Sequence, residues 1–263
     1  MAGSRGKALV TGAGKRLGRA MALYLAGRGY DVAVHYATAH DEAEAVSAEA
    51  RALGVQSATL QADLLDEAAA TALVRQACTA LGGPLSVLVN NSSIFEYDTL
   101  ATATLKSWDR HIGSNLRAPF VLTQQFAAQA ADHAIDANGE PIATGLVVNM
   151  IDQRVRKLTP EFMTYTIAKF ALWGFTQTAA QALAPRIRVN AIGPGPTMIG
   201  LRQSAQHFAG QRASTVLQRG ANPGDITAAL GYFLDAPAVT GQLLCVDGGE
   251  HLGWRLADAR ALE

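Results

Sequence analysis

The sequence contains little cysteine and no excess of charge of either sign. Cys78 and Cys245 are the two cysteines of the 263 residues, and neither has a Cys or His neighbour at metal-ligand spacing. This excludes a disulfide framework and a cysteine-based zinc site, and we expect no metal. Because 22 Lys and Arg balance 22 Asp and Glu, binding to nucleic acid or to an anionic membrane through bulk charge is also excluded.

Long hydrophobic runs are missing as well. The N-terminal residues MAGSRGKALVTGAG contain no apolar stretch of signal-peptide length, and no run approaches the roughly 18 apolar residues of a membrane span. Hydrophobic residues nevertheless make up 49% of the chain and charged residues 17%, a composition that can bury a large core. We therefore expect one globular domain over residues 1–263, located in the cytoplasm.

Short apolar runs alternate with segments of helical periodicity along the chain. Strands are predicted at 7–11, 31–36, 57–61, 85–90, 146–150, 188–192 and 242–246. Helices are predicted at 17–28, 40–53, 66–81, 105–132, 162–184 and 223–234. This alternation predicts an α/β fold, a doubly wound parallel sheet of about seven strands with helices on both faces. The polar stretch 136–144 is predicted as a surface connection, and 193–220 is long enough for a substrate loop.

A glycine-rich turn, TGAGKRLGRA at 11–20, lies between the first strand and the first helix. Glycines 12, 14 and 18 let the backbone turn tightly and approach a diphosphate, whose charge the N-terminus of the following helix favours. We therefore predict a dinucleotide site that includes Gly12 and Leu17.

The second strand ends in VAVHYAT, with His35 and Tyr36 and no carboxylate before Asp41. An NAD site of this fold has an acidic residue here for the adenosine ribose, so its absence favours NADPH. Arg16 is suited to pair bidentately with the 2′-phosphate, and Lys15 either adds a second positive charge or is a solvated lysine. His35 and Tyr36 are further cofactor candidates, with ordinary packing in the strand as the alternative for His35.

Other cofactor candidates follow the third and fourth strands. Asp63 and Leu64 come just after the third strand, where the carboxylate would reach the adenine amino group; the alternative for Asp63 is the N-cap of the next helix. Asn91 follows Asn90 at the end of the fourth strand. Asn115 falls inside a predicted helix, where asparagine is usually a solvated residue.

Tyr165 and Lys169 are four residues apart on a predicted helix and so share one face. At that spacing the ammonium group would lower the pKa of the phenol and make Tyr165 usable as an acid or base near neutral pH. A lone pair of this kind more often reflects surface packing, so its interpretation depends on the rest of the sequence.

The sequence resembles the short-chain dehydrogenase/reductase family over nearly its whole length. The motifs that carry the resemblance occur in the order and spacing of that family: TGAGKRLG, NNSS, SNLRAPF around Asn115, YTIAK from Tyr165 to Lys169, and VNAIGPGPT at 189–197. The resemblance implies a single-domain Rossmann fold, a nicotinamide cofactor, Tyr165 as proton donor, Lys169 on the nicotinamide ribose and Asn115 supporting a proton relay. It also implies a homotetramer, with Trp254 of the C-terminal tail at a subunit interface or over a neighbouring site.

Within this resemblance, Pro194, Gly195 and Thr197 match the segment that flanks the nicotinamide. Two positions depart from the family pattern: Arg16 stands where Gly is common, and Asp152 where Ser is common. An ionised carboxylate cannot donate a hydrogen bond to a substrate carbonyl, and it repels the negative charge that develops on that oxygen. Asp152 therefore favours a substrate with N–H donors that receives hydride at a C=N bond, such as a reduced pterin.

Both departures resemble the pteridine reductase and dihydromonapterin reductase branch of the family. The resemblance implies that Phe95 stacks on the pterin and that Ser93 contacts pterin or cofactor phosphate, with ordinary core packing as the alternative for Phe95. We predict an NADPH-dependent reductase of a small dihydropterin substrate, in which Asp152 and Tyr165 organise protonation. A carbonyl or 3-oxoacyl reductase of the same family and a non-catalytic NADP(H)-binding sensor are the alternatives.

Overall fold

The computed structural model describes residues 4–200 and 203–253, so Trp254 lies outside the described residues. The strands are β1 (Gly6–Val10), β2 (Tyr30–Tyr36), β3 (Ser57–Gln61), β4 (Val87–Asn90), β5 (Ala134–Ile135), β6 (Pro141–Ile142), β7 (Gly145–Met150), β8 (Ile187–Pro194) and β9 (Leu243–Val246). The helices are α1 (Arg16–Gly27), α2 (His40–Ala52), α3 (Glu67–Ala80), α4 (Leu105–Ile112), α5 (Ala118–Gln129), α6 (Met163–Leu183), α7 (Ala205–Ala213) and α8 (Pro223–Asp235).

Seven strands form one parallel sheet in the order β3-β2-β1-β4-β7-β8-β9. Every residue of β4 (VLVN) and β7 (GLVVNM) is buried, as expected for strands that are covered on both faces. The chain runs outward from β1 in both directions, so the loops after β1 and β4 diverge at a topological switch point, where ligands bind in sheets of this kind. The predicted doubly wound α/β fold is confirmed.

Helices cover both faces of this sheet. The core under α1, α2 and α8 includes Met21 and Phe233, and the core under α3, α5 and α6 includes Leu73 and Phe126. Each of these side chains is at most 1% exposed, and burying a side chain of this size contributes roughly 1.5–3 kcal/mol. None of the helices among the described residues is long and apolar enough to cross a lipid bilayer.

The single helix predicted over 105–132 is interrupted in the structure. Helix α4 ends at Ile112, a π-helical turn spans Gly113–Arg117, and α5 begins at Ala118. Pro119 lies in the first turn of α5, directly after the π turn. The residues at both junctions, Ile112 and Gly113 and then Arg117 and Ala118, keep right-handed helical dihedral angles, so the π turn is a bulge in one helical path, and Pro119 cannot donate a backbone hydrogen bond there. Helical periodicity does not reveal such a bulge, because the apolar spacing continues across it. The π turn contains Asn115 and faces the candidate site.

Two stretches predicted as connections contain regular structure. In 136–144, the carboxylate of Asp136 accepts hydrogen bonds from the amides of Asn138 and Glu140 at 2.8 and 2.9 Å and closes the turn between β5 and β6. In 193–220, helix α7 lies on the surface with no buried residue. The guanidinium of Arg212 donates to the carbonyls of Pro196 and Ala221 at 3.0 and 2.6 Å, which ties the two ends of this segment together.

Candidate active site

The glycine-rich turn is held in shape by side chains of neighbouring strands. Gly12 has a φ of 61°, and its N–H donates to Nδ1 of His35 at 3.0 Å. The amide nitrogen of Asn91 donates to the carbonyls of Thr11 and Gly12 at 2.8 and 3.2 Å. A Cβ on Gly18 would lie 2.2 Å from the Gly12 carbonyl oxygen, so only glycine permits α1 to approach the turn this closely.

The N-terminus of α1 is available for an anion. Its N-cap residue, Lys15, makes no side-chain capping bond, and the first turn contains no acidic residue. The first N–H groups of a helix have no partner within the helix, and they carry partial positive charge. Leu17 packs its side chain against the core, which leaves its backbone for a ligand. The charge and the close backbone approach both fit the diphosphate of a dinucleotide.

The side chains of His35 and Asn91 bond to the turn itself, and their direct contact with a cofactor stays a prediction. His35 is 1% exposed, and its Nε2 lies 3.0 Å from the Ala62 carbonyl. Because Nδ1 accepts from Gly12, Nε2 carries the hydrogen and donates. Burial lowers the pKa of His35 to about 4, so the ring is neutral at pH 7. The packed-strand interpretation therefore holds for His35, and the Asn91 amide nitrogen is committed to the turn.

Arg16 and Lys15 extend to opposite sides of the turn. The Arg16 guanidinium donates to the carbonyls of Ile199 and Met198 at 2.7 and 3.0 Å, in the segment after β8. Lys15 Nζ lies 2.5 Å from a carboxylate oxygen of Glu42, at the start of α2. In this fold the adenosine ribose lies at the end of the second strand, on the other side of β1 from β8. Lys15 therefore lies on the adenosine side of the turn and Arg16 on the other side, and the 2′-phosphate role predicted for Arg16, with Lys15 as a second positive charge, stays a prediction.

The remaining adenosine-side candidates differ in what they can offer. Tyr36 is half-buried, and its ring meets His40 edge-on with the centroids 5.5 Å apart. Asp63 is exposed and accepts a backbone N–H two residues ahead at 2.9 Å. The N-cap of α3 is Asp66, so the capping alternative for Asp63 is wrong. Leu64 packs in the core, and only its backbone is left for a ligand.

The segment predicted to flank a nicotinamide is packed tightly at the end of β8. Pro194 ends that strand, and a Cβ on Gly195 would lie 2.6 Å from Cβ of Asp247. The Thr197 hydroxyl donates to the Gly195 carbonyl at 3.0 Å.

Asp247 pairs with the ring of His251 at 2.6 Å, but among residues 4–200 and 203–253 no group of three or more metal-ligand side chains is arranged to hold a metal ion.

Tyr165 and Asp152 are joined by a hydrogen bond beyond the carboxyl end of β7. The Tyr165 hydroxyl donates to Oδ2 of Asp152 at 2.8 Å, and Oδ1 accepts the Arg154 amide at 2.8 Å. Burial raises the pKa of the Asp152 carboxyl, although these donors oppose it. Burial and then the charge of Asp152 raise the pKa of the Tyr165 phenol well above its usual range. The phenol is therefore kept protonated, in a hydrogen bond that couples the two groups.

Lys169 lies beneath this pair. Its Nζ donates to the Met150 carbonyl at 2.7 Å and lies 5.7 Å from the centroid of the Tyr165 ring. Burial lowers the pKa of Lys169 to about 8. The phenol pKa is raised and not lowered as predicted, because burial and then Asp152, in direct contact with the hydroxyl, both raise it.

Aromatic rings pack beside the ring of Tyr165. Phe95 stacks on Phe162 with centroids 4.4 Å apart and planes 9° apart, and it meets Tyr165 edge-on at 4.7 Å. Phe95 is 45% exposed, so the alternative of ordinary core packing is wrong. Ser93 makes a hydrogen bond to Tyr165 that lowers the phenol pKa against the larger raising effects of burial and Asp152. The residues predicted to contact substrate therefore lie close together: Ser93, Phe95, Asp152 and Tyr165.

Asn115 holds the backbone of the neighbouring segment. It is fully buried in the π turn, its Nδ2 donates to the Ile94 carbonyl at 2.8 Å, and its Oδ1 accepts the Ile94 amide at 2.9 Å. The Asn115 side chain therefore positions the segment that carries Ser93 and Phe95. The support of a proton relay by Asn115 stays a prediction.

Arg154 follows Asp152 in a basic cluster with Arg156 and Lys157, for which the sequence leaves open attraction of an anionic substrate tail or a solvated turn. Its guanidinium lies 4.9 Å from the centroid of the Phe162 ring.

Three further residues beside Tyr165 were missed by the sequence analysis. Asp98, His111 and Thr164 form a buried hydrogen-bonded set next to Tyr165. Each of these three is an isolated polar residue with no motif around it, and the one available signal was that Thr164 directly precedes Tyr165.

Comparisons with known proteins agree with this geometry. The model of the short chain dehydrogenase family matches residues 6–209. A 3-oxoacyl-[acyl-carrier-protein] reductase, FabG of Staphylococcus aureus, is 32% identical over 250 residues, which cover 93% of this chain and 98% of that protein.

Two solved structures are similar over nearly the whole chain. FolM alternative dihydrofolate reductase 1 from Brucella suis, in complex with NADP, is 40% identical with a TM-score of 0.89, covering 97% of this chain and 98% of that one. A short chain dehydrogenase from Burkholderia cenocepacia, also in complex with NADP, is 31% identical with a TM-score of 0.85, covering 94% and 98%.

Proposed function

The chain belongs to the short chain dehydrogenase family, and we propose that it is an NADPH-dependent reductase that transfers hydride to a C=N bond of a dihydropterin. The observation that carries this proposal is the carboxyl of Asp152, which accepts the Tyr165 hydroxyl at 2.8 Å. A serine at position 152 would donate a hydrogen bond to a substrate carbonyl. A carboxylate accepts hydrogen bonds instead, and it matches the N–H groups of a pterin ring.

The nucleotide end of the site supports NADPH as the cofactor. The uncapped N-terminus of α1 favours the diphosphate, and Lys15 supplies positive charge beside α2. The FolM protein at 40% identity and the Burkholderia protein were both solved with NADP. When bound, the nucleotide supplies a hydride to the substrate carbon.

Tyr165 supplies the proton in this proposal. Its raised pKa keeps the hydroxyl protonated, so it acts as a general acid toward the ring nitrogen next to the reduced carbon. Once the proton has left, the hydrogen bond of Ser93 and the positive charge of Arg154 stabilise the phenolate. Asp152, with its raised pKa, holds the hydroxyl in place and accepts substrate N–H groups.

Phe95 supports a flat heteroaromatic substrate. One face of its ring is covered by Phe162 at 4.4 Å, yet 45% of the residue is exposed beside Tyr165. An offset stack between aromatic rings contributes about 0.5–1.5 kcal/mol beyond burial. We include the segment 193–220 in the substrate site, since Arg212 ties its ends together and Arg16 bridges to it.

A homotetramer is part of the same proposal. Phe120 on α5 is 47% exposed and contacts Phe175 of α6 with the ring centroids 5.2 Å apart, and Phe170 on α6 is 50% exposed. Large apolar side chains left exposed on neighbouring helices are candidates for a protein interface. Sedimentation equilibrium of the full chain tests this point independently of activity.

A carbonyl or 3-oxoacyl reductase is the second candidate function. It is favoured by the 32% identity to a protein named 3-oxoacyl-[acyl-carrier-protein] reductase, and it conflicts with the carboxyl at position 152. The two candidates differ in the group reduced, a C=N bond or a C=O bond, and therefore in what position 152 must do.

The test is NADPH oxidation with a panel of substrates. Dihydrobiopterin, dihydromonapterin and dihydrofolate are compared with a simple ketone and an acetoacetyl thioester. We expect turnover with at least one dihydropterin, and we expect Asp152→Ser to lower its kcat/KM about 10- to 1000-fold, the range for loss of one preorganised polar group. Faster turnover of the ketone or thioester by the unmodified chain contradicts the proposal, and tight NADPH binding without any turnover favours a sensor.

A further inference from the structure

The segment between β4 and α4 alternates between exposed and inward-facing residues. Residues 93, 95 and 97 are exposed, whereas 94, 96 and 98 are partly or fully buried. The exposed members include two rings at the site, Phe95 stacked on Phe162 and Tyr97 edge-on to Phe162 at 5.1 Å. The inward-facing residues 94, 96 and 98 make the hydrogen bonds that hold this segment to the rest of the protein.

Three attachments tie the inward residues to two helical elements. Ile94 is bound at both backbone groups by Asn115. The amide of Glu96 donates to Nε2 of His111 on α4 at 3.1 Å. Asp98 bonds to Thr164 in the first turn of α6. The segment is therefore held between the α4 region on one side and the helix that carries Tyr165 on the other.

Asp98, Thr164 and His111 form one buried hydrogen-bonded set. The Thr164 hydroxyl donates to Oδ2 of Asp98 at 2.5 Å, and the Thr164 amide donates to Oδ1 at 3.1 Å. Nδ1 of His111 lies 2.7 Å from the Thr164 hydroxyl oxygen. Asp98, His111 and Thr164 are 2%, 0% and 3% exposed, so water does not compete for these groups.

The direction of each hydrogen bond follows from its partners. A backbone N–H can only donate, so Nε2 of His111 accepts from Glu96 and Nδ1 carries the ring hydrogen. Nδ1–H then donates to the Thr164 oxygen, whose own hydrogen goes to Asp98. Burial lowers the pKa of His111 and keeps the ring neutral. Removing the Thr164 hydroxyl would leave a buried ring N–H and a buried carboxylate oxygen without this partner.

Helix α6 depends on this set for its first turn. Its N-cap residue, Phe162, has a left-handed φ of 54° and makes no side-chain capping bond. Asp98 supplies the cap from another part of the chain, through the amide of Thr164. Tyr165 follows Thr164 directly, so the position of the phenol along the helix axis is set by bonds to Asp98 and His111.

We propose that Asp98, Thr164 and His111 are positioning residues that hold the Tyr165 hydroxyl in register with Ser93, Phe95 and Tyr97. The inference rests on the proposed function in that Tyr165 is taken as the proton donor. Misplacing a reacting group by about 1 Å costs on the order of 100-fold in rate. The set touches neither the glycine-rich turn nor Lys169, so its loss should change turnover and leave NADPH binding intact.

The experiment compares Thr164→Val with Thr166→Val. Both substitutions replace a buried threonine hydroxyl next to Tyr165 by a methyl group, but the Thr166 hydroxyl is without a hydrogen-bond partner among the described residues. We expect Thr164→Val to lower kcat about 10- to 100-fold with the KM for NADPH within about twofold of the parent. Thr166→Val should retain kcat within about twofold, and Thr164→Ser, which restores the hydroxyl, should recover most of the loss.

A second measurement does not depend on turnover. Amide hydrogen exchange of residues 92–99 and 163–166 should become faster in Thr164→Val and stay unchanged in Thr166→Val. Equal kcat in the two valine variants, unchanged exchange in residues 92–99, or faster exchange spread over the whole chain would each overturn the inference. A parent protein that reduces no substrate refutes the proposed function, and the exchange data still decide whether the set holds this segment.

Discussion

At the glycine-rich turn, side chains hold a backbone that faces the ligand, whereas around Tyr165 the functional groups are themselves side chains. His35 and Asn91 direct their polar atoms at the backbone of the turn. On the other side of the site, Tyr165 and Asp152 direct theirs at each other, at 2.8 Å. In the proposed site, the cofactor half would therefore bind through main-chain geometry, and the chemical half would act through titratable groups.

The difference shows that a polar residue in a motif need not touch the ligand. In the cofactor half, a substitution should act on cofactor affinity and on stability, because it changes the shape of the turn. In the chemical half, it should act on turnover and leave NADPH affinity nearly unchanged. Substitutions in the two halves can therefore be separated by measuring kcat, the Kd for NADPH and the free energy of unfolding together.

The largest effect is expected for Tyr165→Phe in the chemical half. Loss of the general acid should lower kcat about 100- to 10,000-fold, while the Kd for NADPH measured by fluorescence changes little. Tyr232→Phe is the matched control, since Tyr232 lies 53% exposed on α8. Retained turnover in Tyr165→Phe would contradict its role as proton donor. A parallel loss of NADPH binding would show that the chemical half also contributes to NADPH affinity, against the separation of the two halves.

The next effect is a pH dependence of stability that comes from His35. Its pKa is about 4 in the folded chain against 6.5 for the free side chain, so the unfolded chain takes up the proton first as the pH falls. The stabilisation that the neutral His35 ring gives the folded chain is present above pH 6.5 and is lost as the pH falls from 6.5 to 4. Linkage gives a loss of about 2 kcal/mol between pH 7.5 and 5.0.

His35→Gln removes this titration. Between pH 7.5 and 5.0 the free energy of unfolding of this variant should therefore fall by about 2 kcal/mol less than that of the parent. Urea denaturation at the two pH values measures it. His207→Gln, on the exposed helix α7, is the control and should keep the dependence of the parent. If His35→Gln shows the full pH dependence, the buried neutral histidine is not what holds the turn at neutral pH.

The smallest effect distinguishes the two basic residues of the turn. Lys15→Ala should weaken NADPH about 10-fold and NADH hardly at all, because one charge pair with the 2′-phosphate is lost. Arg16→Ala should weaken both nucleotides by the same factor, since Arg16 bonds to the segment after β8. Isothermal titration with the two nucleotides measures both ratios. A selective loss of NADPH in Arg16→Ala would instead support the 2′-phosphate role of Arg16.

Much of the cofactor half could be predicted because its signals are local. The glycines at 12 and 18 are needed where the backbone has a φ of 61° or where a Cβ would meet a carbonyl at 2.2 Å. The chemical half was predictable in its residues, since Tyr165 and Lys169 lie one helical turn apart. The pKa of Tyr165 was predicted in the wrong direction, because the dominant neighbour is thirteen residues away in sequence and in direct contact in space.

The sequence by itself predicted the α/β fold from periodicity, and from its motifs and their family resemblance it predicted the nucleotide turn and Tyr165, Lys169 and Asp152 as site residues, because these signals are properties of short segments. Only the tertiary structure decided that His35, Asn91 and Asn115 hold backbone, that Arg16 faces the segment after β8, and that a π turn begins at Gly113. These outcomes depend on which distant groups meet. They are set by burial and by hydrogen bonds between elements that are distant in sequence. Neither can be read from the spacing of residues along the chain.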